Sequence, residues 1–497
     1  MINKISIRCS LFSFLLIAFF QLSCAGKNNT DISEETNLIV KKIEKINVLM
    51  GSAVGYGGNR PEQYDNFEEL KKTASQEELL QLTKHSNAVV RCYSFWALGN
   101  YKNFDLFSLV KDHINDDAPV KTQFGCIIST EKVGDFFINL VNPENENSEI
   151  RQLTKKEFSK LETILINQEN SLYALNNAIE SATPTKALYP KLRALVIKKH
   201  NQSALVTLSK YKNPNDIELI LTNREKELDD DGESGYFYTY KAIQNFPDPH
   251  FFPFLEKRLY ETLDNDHFSN EWLEMYAAIA AYKDAKALEL LKIPFTKVQH
   301  QNIKEYHIKF VYEGILVNPS PLYDDLLWKI WQEEHIITLE GFTYLLQLNS
   351  GKTLEFSKKE LMPNYQIKNT KSTARFTQGI FTENLEETML NFLLINDKPF
   401  TYKILKEKIA TAYVNDFEIY CAKVLELGDK SFAESLFKRL KNEGNPHVYL
   451  QIVETLISFK DKAINERILE VRKQNKNMNV DWGSYSLNAI LEKNNIK

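Results

Sequence analysis

Asn87-Ala88-Val89-Val90-Arg91 returns thirty residues later as Asp117-Ala118-Pro119-Val120-Lys121. Each copy opens on an Asx residue, whose short side chain accepts a hydrogen bond from an amide two or three positions on and so starts a helix. Pro119 fits the same reading, because the first helical turn has no partner for the amide that proline lacks. After Val89 come Tyr93 and Trp96 at i+4 and i+7, one apolar face with Val90 and Ala97 beside it. Gly99 stops that helix, and Phe104–Ile114 supplies a second. The two pentapeptides predict successive helix pairs.

The stretch His85–Val141, with its Asx-Ala-x-Val-Arg/Lys helix starts, resembles the short HEAT-like repeat of bilin lyases and many bacterial scaffold proteins. The resemblance implies an all-α fold, an α-solenoid of stacked antiparallel helix pairs. It also implies that the base in each start, Arg91 and Lys121, joins a ladder of polar contacts between neighbouring repeats rather than a ligand.

A looser signature carries the period further. An aliphatic residue ends one helix, an aromatic follows three places later, and a short Lys/Pro/Asx turn leads into the next. It runs Leu98…Tyr101-Lys102-Asn103, Leu208…Tyr211-Lys212-Asn213, Ile243…Phe246-Pro247-Asp248, Ile279…Tyr282-Lys283-Asp284 and Leu456…Phe459-Lys460-Asp461, with Leu425…Gly428-Asp429-Lys430 as a degenerate copy. Self-similarity at roughly 30 to 40 residues marks stacked helix pairs, since a pair cannot bury its apolar face alone and neighbours must share a core. The aromatics would plug the seams between repeats. The expected organisation is N-terminal helices and the clearest repeats over 36–145, degenerate repeats over 146–348, an irregular insertion or linker at 349–382, and C-terminal repeats over 383–497. Gly51, Gly55, Gly57 and Gly58 read as a flexible linker after the first helix.

At 497 residues the chain outgrows one core, which repetition accommodates. With 43% hydrophobic and 26% charged residues it has the make-up of a folded protein, and no basic stripe marks it for nucleic acid. Five cysteines without a CxxC pair indicate neither a disulfide framework nor a zinc site. Cys92 and Cys126 sit in apolar patterns that read as helical, where a free thiol behaves as a small hydrophobe.

The N-terminus reads as an export signal, residues 1–23: Lys4 and Arg8 ahead of an apolar stretch from Leu11 to Phe20. Gln21-Leu22-Ser23-Cys24-Ala25-Gly26 resembles the lipobox of bacterial lipoproteins, although that family usually has leucine where this chain has Gln21. The resemblance implies diacylation at Cys24, with residues 24–35 as a polar tether. Plain cleavage around Ser23-Cys24-Ala25, giving a soluble periplasmic protein, is the alternative. Removing residues 1–23, with two bases and no acid, takes the formal charge from −5 to −7.

Fragments that imitate catalytic motifs each fail a test. Ser350-Gly351-Lys352-Thr353 lacks the earlier glycine of a phosphate loop, because position 346 is Leu346; Gly351 reads instead as a helix stop. Asp229, Asp231 and Gly232 would need a final glutamate where Tyr238 stands to form a calcium loop. His300 and His307 lie about 10.5 Å apart along a helix, too far to share a metal directly. No catalytic, metal or cofactor-binding residue is nominated, and no cofactor is expected. These readings together describe a lipid-anchored, non-catalytic helical-repeat protein at the cell envelope, in the outer membrane or facing the periplasm, that binds or scaffolds an envelope protein or component. A substrate-capture lipoprotein serving an outer-membrane transporter is the alternative, and an enzyme on a HEAT-like platform a more distant one.

Overall fold

A computed structural model describes residues 32–225, 235–362 and 385–497. The expected export signal, Cys24, most of the expected tether, the Asp229–Gly232 segment and residues 363–382 of the expected insertion lie outside them. The fold is all-α, with one small three-stranded sheet, and the chain divides into two units at Leu219/Ile220.

In the first unit, Ala88–Leu98 is a helix and Asn87 its cap: the Asn87 Oδ1 accepts from the amides of Val89 (2.9 Å) and Val90 (3.1 Å). Its Nδ2 donates to Asn47 Oδ1, on the residue that ends the first helix, Glu34–Ile46, in the left-handed region. All of Val89 to Leu98 is buried, so the helix is surrounded rather than laid on a surface. Tyr93 stacks on Phe67, and its hydroxyl both donates to the carbonyl of Met50 and accepts from the Met50 amide.

The second pentapeptide does not start a helix. Pro119–Gly125 is strand β2, flanked by β1 (Leu49–Val54) and β3 (Ile127–Lys132) in the order β1-β2-β3. β1 runs parallel to β2, with Leu49 opposite Thr122, and β2 runs antiparallel to β3, with Phe124 opposite Ile127. Val120 and Thr122 point inward and Lys121 outward, the two-residue period of a half-buried strand. Gly125 takes φ 57° at the first central position of the two-residue turn, where glycine alone is unstrained. The expected linker at Gly51–Gly58 is thus β1 and its turn. Cys126, read as helical, is exposed at the hairpin tip, whereas Cys92 is buried; both are free thiols.

The second unit is helical throughout its described residues. Helices Lys398–Thr411, Ala433–Leu440 and Lys462–Gln474 pack each on the next, and so do Val414–Leu427, Pro446–Ser458 and Asp481–Lys493, which makes two alternating rows. Phe237–Asn245, Glu271–Ala280 and Gln301–Val317 form a similar row earlier. Gly351 stops no helix: Asn349 ends Leu339–Leu348 and caps Ser350–Leu361, so the first third of the expected insertion is regular.

The turn signature acquires a physical meaning here. Lys212, Lys283 and Lys460 all adopt φ of 51–53°, and Gly428 takes φ 60° at the matching place in the degenerate copy. The Asx that follows each one caps the next helical turn: Asn213, Asp284, Asp429 and Asp461 accept amide hydrogen bonds from two or three residues on. Tyr211 and Tyr282 latch back onto the preceding turns, donating to the carbonyls of Thr185 (2.7 Å) and Asp248 (2.6 Å). Two copies depart. Lys102 is not left-handed, and Asp105 rather than Asn103 caps the short helix Leu106–Asp112. In Ile243…Asp248 the joint is Pro247, whose ring forbids a left-handed φ, although Asp248 still caps Pro249–Phe251.

Candidate functional site

Of the nominated residues, Cys24 lies outside the described chain and Arg91 and Lys121 lie in quite different settings. Arg91 is buried. Its Nη1 donates to the carbonyls of His85 (2.7 Å) and Ser86 (3.0 Å), and its Nε and Nη2 face the two oxygens of Asp116 at 2.9 and 3.0 Å. Burial favours the neutral form of Asp116, but a hydrogen bond from His113 and the Arg91 charge outweigh it and hold the carboxyl below its ordinary range. Lys121 is exposed on β2. It faces Asn87 and Ser86 across an open hollow of about 500 Å³ between the start of helix Ala88–Leu98 and the strand. The two copies of the pentapeptide therefore meet in space, as the two walls of one hollow. The Val89 and Val90 amides at the helix end are already held by Asn87, so the helix start itself offers a ligand neither of them.

A larger groove of about 670 Å³ lies in the same unit, among helices Val133–Val141, Lys155–Asn167 and Ala174–Ser181 and the end of β3. Its walls carry the carboxylates of Glu131, Asp135, Glu144 and Glu162, three asparagine amides, the ring of Phe158 and the exposed ring of Tyr173. Among the described lining residues Lys155 is the one base. Two of the acids are engaged in structure: Asp135 accepts from the amides of Tyr173 and Ala174, and Glu162 from the hydroxyl of Ser181. The carboxylate of Glu131 has no hydrogen-bond or ion-pair partner among the described residues. Burial raises it above its ordinary range, and the nearby Asp135 charge adds to the effect. No sequence motif pointed to this groove, because its lining comes from four elements spread over fifty residues.

In the second unit, His307 is fully buried, stacked on Trp272 and hydrogen-bonded through Nδ1 to the Tyr276 hydroxyl at 2.6 Å. Burial pushes it down to about 4, against a contact with the Thr262 backbone that favours the protonated ring. Glu360 is buried with one oxygen 3.3 Å from Trp331 Nε1 and 3.6 Å from His335 Nδ1, and burial raises its carboxyl although His335 opposes the shift. His300 caps nothing with its side chain and begins the helix that carries His307. Among the described residues no group of three His, Cys, Asp or Glu side chains is placed to hold a metal ion. No described helix is long and apolar enough to cross a membrane.

No family model, no curated protein and no solved structure matches the chain.

Proposed function

We propose that this chain is an exported, lipid-anchored helical-repeat protein that acts as a non-catalytic protein-binding module at the cell envelope. The observation that carries the reading is the double row of helices over residues 398–493, with left-handed turns and Asx caps recurring at the repeat period. An architecture that adds one helix pair at a time presents a long, continuous face, and such faces suit extended protein segments. The anchor rests on the likeness of Gln21–Gly26 to a lipobox, and the solenoid on the row packing together with the turn signature.

Crosslinking in the native envelope, followed by identification of the captured species, tests the binding role. Recovery of a defined envelope protein supports it; recovery of a soluble small molecule with no protein overturns it. Separately, Cys24→Ala should move the protein from the membrane to the soluble fraction, and unchanged fractionation would defeat the anchor. A substrate-capture lipoprotein is the second reading, supported by the exposed Tyr173 ring on the rim of the larger groove through the one face that Lys132 leaves open.

A further inference from the structure

The groove bounded by Glu131 and Tyr173 has an imbalance that the fold itself does not resolve. Four acids and one base line a space large enough for several side chains, within the range of ordinary ligand clefts. Asp135 and Glu162 are held by neighbouring donors, but Glu131 is half-buried with its carboxylate unanswered. A carboxylate taken out of water without a donor destabilises the empty groove, and an incoming cation relieves it. Tyr173 shows which kind of group its ring accepts: the Lys132 ammonium sits 4.6 Å from the ring centroid while donating to the carbonyl of Ser171. That ammonium occupies one face of the ring, which disfavours a stacked sugar there, and it stands as a second base beside the groove mouth. The attraction for a cation therefore comes from the four acids deeper in the groove and not from the ring.

We propose that this groove receives a lysine- or arginine-bearing stretch of a partner protein, with Glu131 and Glu144 as the charge-recognising residues and the asparagine amides holding the peptide backbone. The inference rests on the protein-binding role and names the chemistry of its partner. A peptide, rather than a lone amine, is the occupant that fits both wall types: carboxylates for the basic side chains, and the amides of Asn139, Asn142 and Asn177 for main-chain groups.

The test is fluorescence anisotropy of the full chain with a labelled octapeptide alternating lysine and glycine, at low and moderate salt. Binding should weaken about tenfold in Glu131→Gln/Glu144→Gln. It should be unchanged in Glu407→Gln/Glu418→Gln, which alters the same number of charges in the other unit. Glu131→Gln alone should keep or raise the melting temperature, because it removes a desolvated charge that no described residue pairs with; this separates loss of recognition from loss of folding. Wild-type affinity in the groove variant, equal losses in both double variants, or tighter binding of spermidine or a neutral oligosaccharide than of the peptide would each overturn the assignment. Capture of an envelope protein by crosslinking, together with failure of the octapeptide, would sink the groove and leave the binding role standing.

Discussion

Helix Ala88–Leu98 and hairpin Pro119–Lys132 start from nearly the same five residues and end in opposite secondary structures. The difference lies in the residues downstream of each copy and in the neighbours each one meets. After Arg91 comes Cys-Tyr-Ser-Phe-Trp-Ala-Leu, all of it buried, so every side of a helix finds apolar company. After Lys121 comes Thr-Gln-Phe-Gly-Cys-Ile-Ile-Ser-Thr, with β-branched residues about a glycine that permits a two-residue turn. β1, more than sixty residues upstream, supplies the second edge for pairing. Asn87 commits its side chain to its own helix, whereas Asp117 accepts from the Ser171 hydroxyl. A cap residue nominates a helix, but the next dozen residues and the available neighbours decide.

The sharpest way to break this comparison is at the two bases. Arg91→Ala leaves the partly buried Asp116 with His113 alone and takes the donor from two carbonyls, and should destabilise the first unit by about 2–3 kcal/mol. Lys121→Ala should change it by less than about 0.5 kcal/mol. Hydrogen exchange over residues 88–98 measures both, and equal effects would contradict the assigned settings.

The glycines come next. A Cβ on Gly99 would lie 2.5–2.7 Å from Ile150 atoms, so Gly99→Ala should cost about 1–3 kcal/mol by overpacking. Gly125→Ala meets nothing within 4 Å but must hold φ 57°, costing about 1 kcal/mol from backbone strain alone. Urea midpoints that ranked the two the other way would mean Ile150 can move aside. The caps sharpen the contrast at smaller scale. Asn87→Ala should cost about 1 kcal/mol, and Asp117→Ala clearly less, since it caps nothing.

Acid should pull the two regions apart. The folded pKa of Asp116 is depressed, so its stabilisation is complete above the ordinary aspartate value and is lost as pH falls through the lower folded one. The folded pKa of Glu131 is raised, so the folded state takes up its proton first and this group's contribution grows as pH falls from the folded value to the ordinary one. Exchange protection around β3 should hold or rise as pH falls from about 6 to about 4, and that around Arg91 should begin to fall only below about pH 4. A parallel decline in both would remove the distinction.

Much of the helical fold was legible because its signals are local. Asx caps, the Gly99 stop and the aliphatic–aromatic–turn signature each act within a few residues, and at Lys212, Lys283 and Lys460 one backbone geometry underlies the pattern. The sheet was not, because β1 and β2 find each other only in three dimensions, and the glycines around Gly55 look the same in a linker and in a turn. Gly351 misled for a related reason: Asn349 ends one helix and begins another, leaving the glycine inside the second. The groove escaped entirely, since Glu131, Glu144 and Tyr173 belong to no shared pattern and are joined only by packing.

The left-handed lysines have a consequence for how such a chain can change over generations. A β-branched residue at 212, 283 or 460 is excluded by its own backbone, whereas glycine or asparagine fits with little strain. Drift in the helices between these joints is limited by packing alone, and substitutions there can compensate one another. At the joints no partner can compensate. Because all three share a φ of 51–53°, a duplicated or deleted segment bounded by two of them would rejoin the chain with the same φ at the joint, leaving helix packing as what must be repaired.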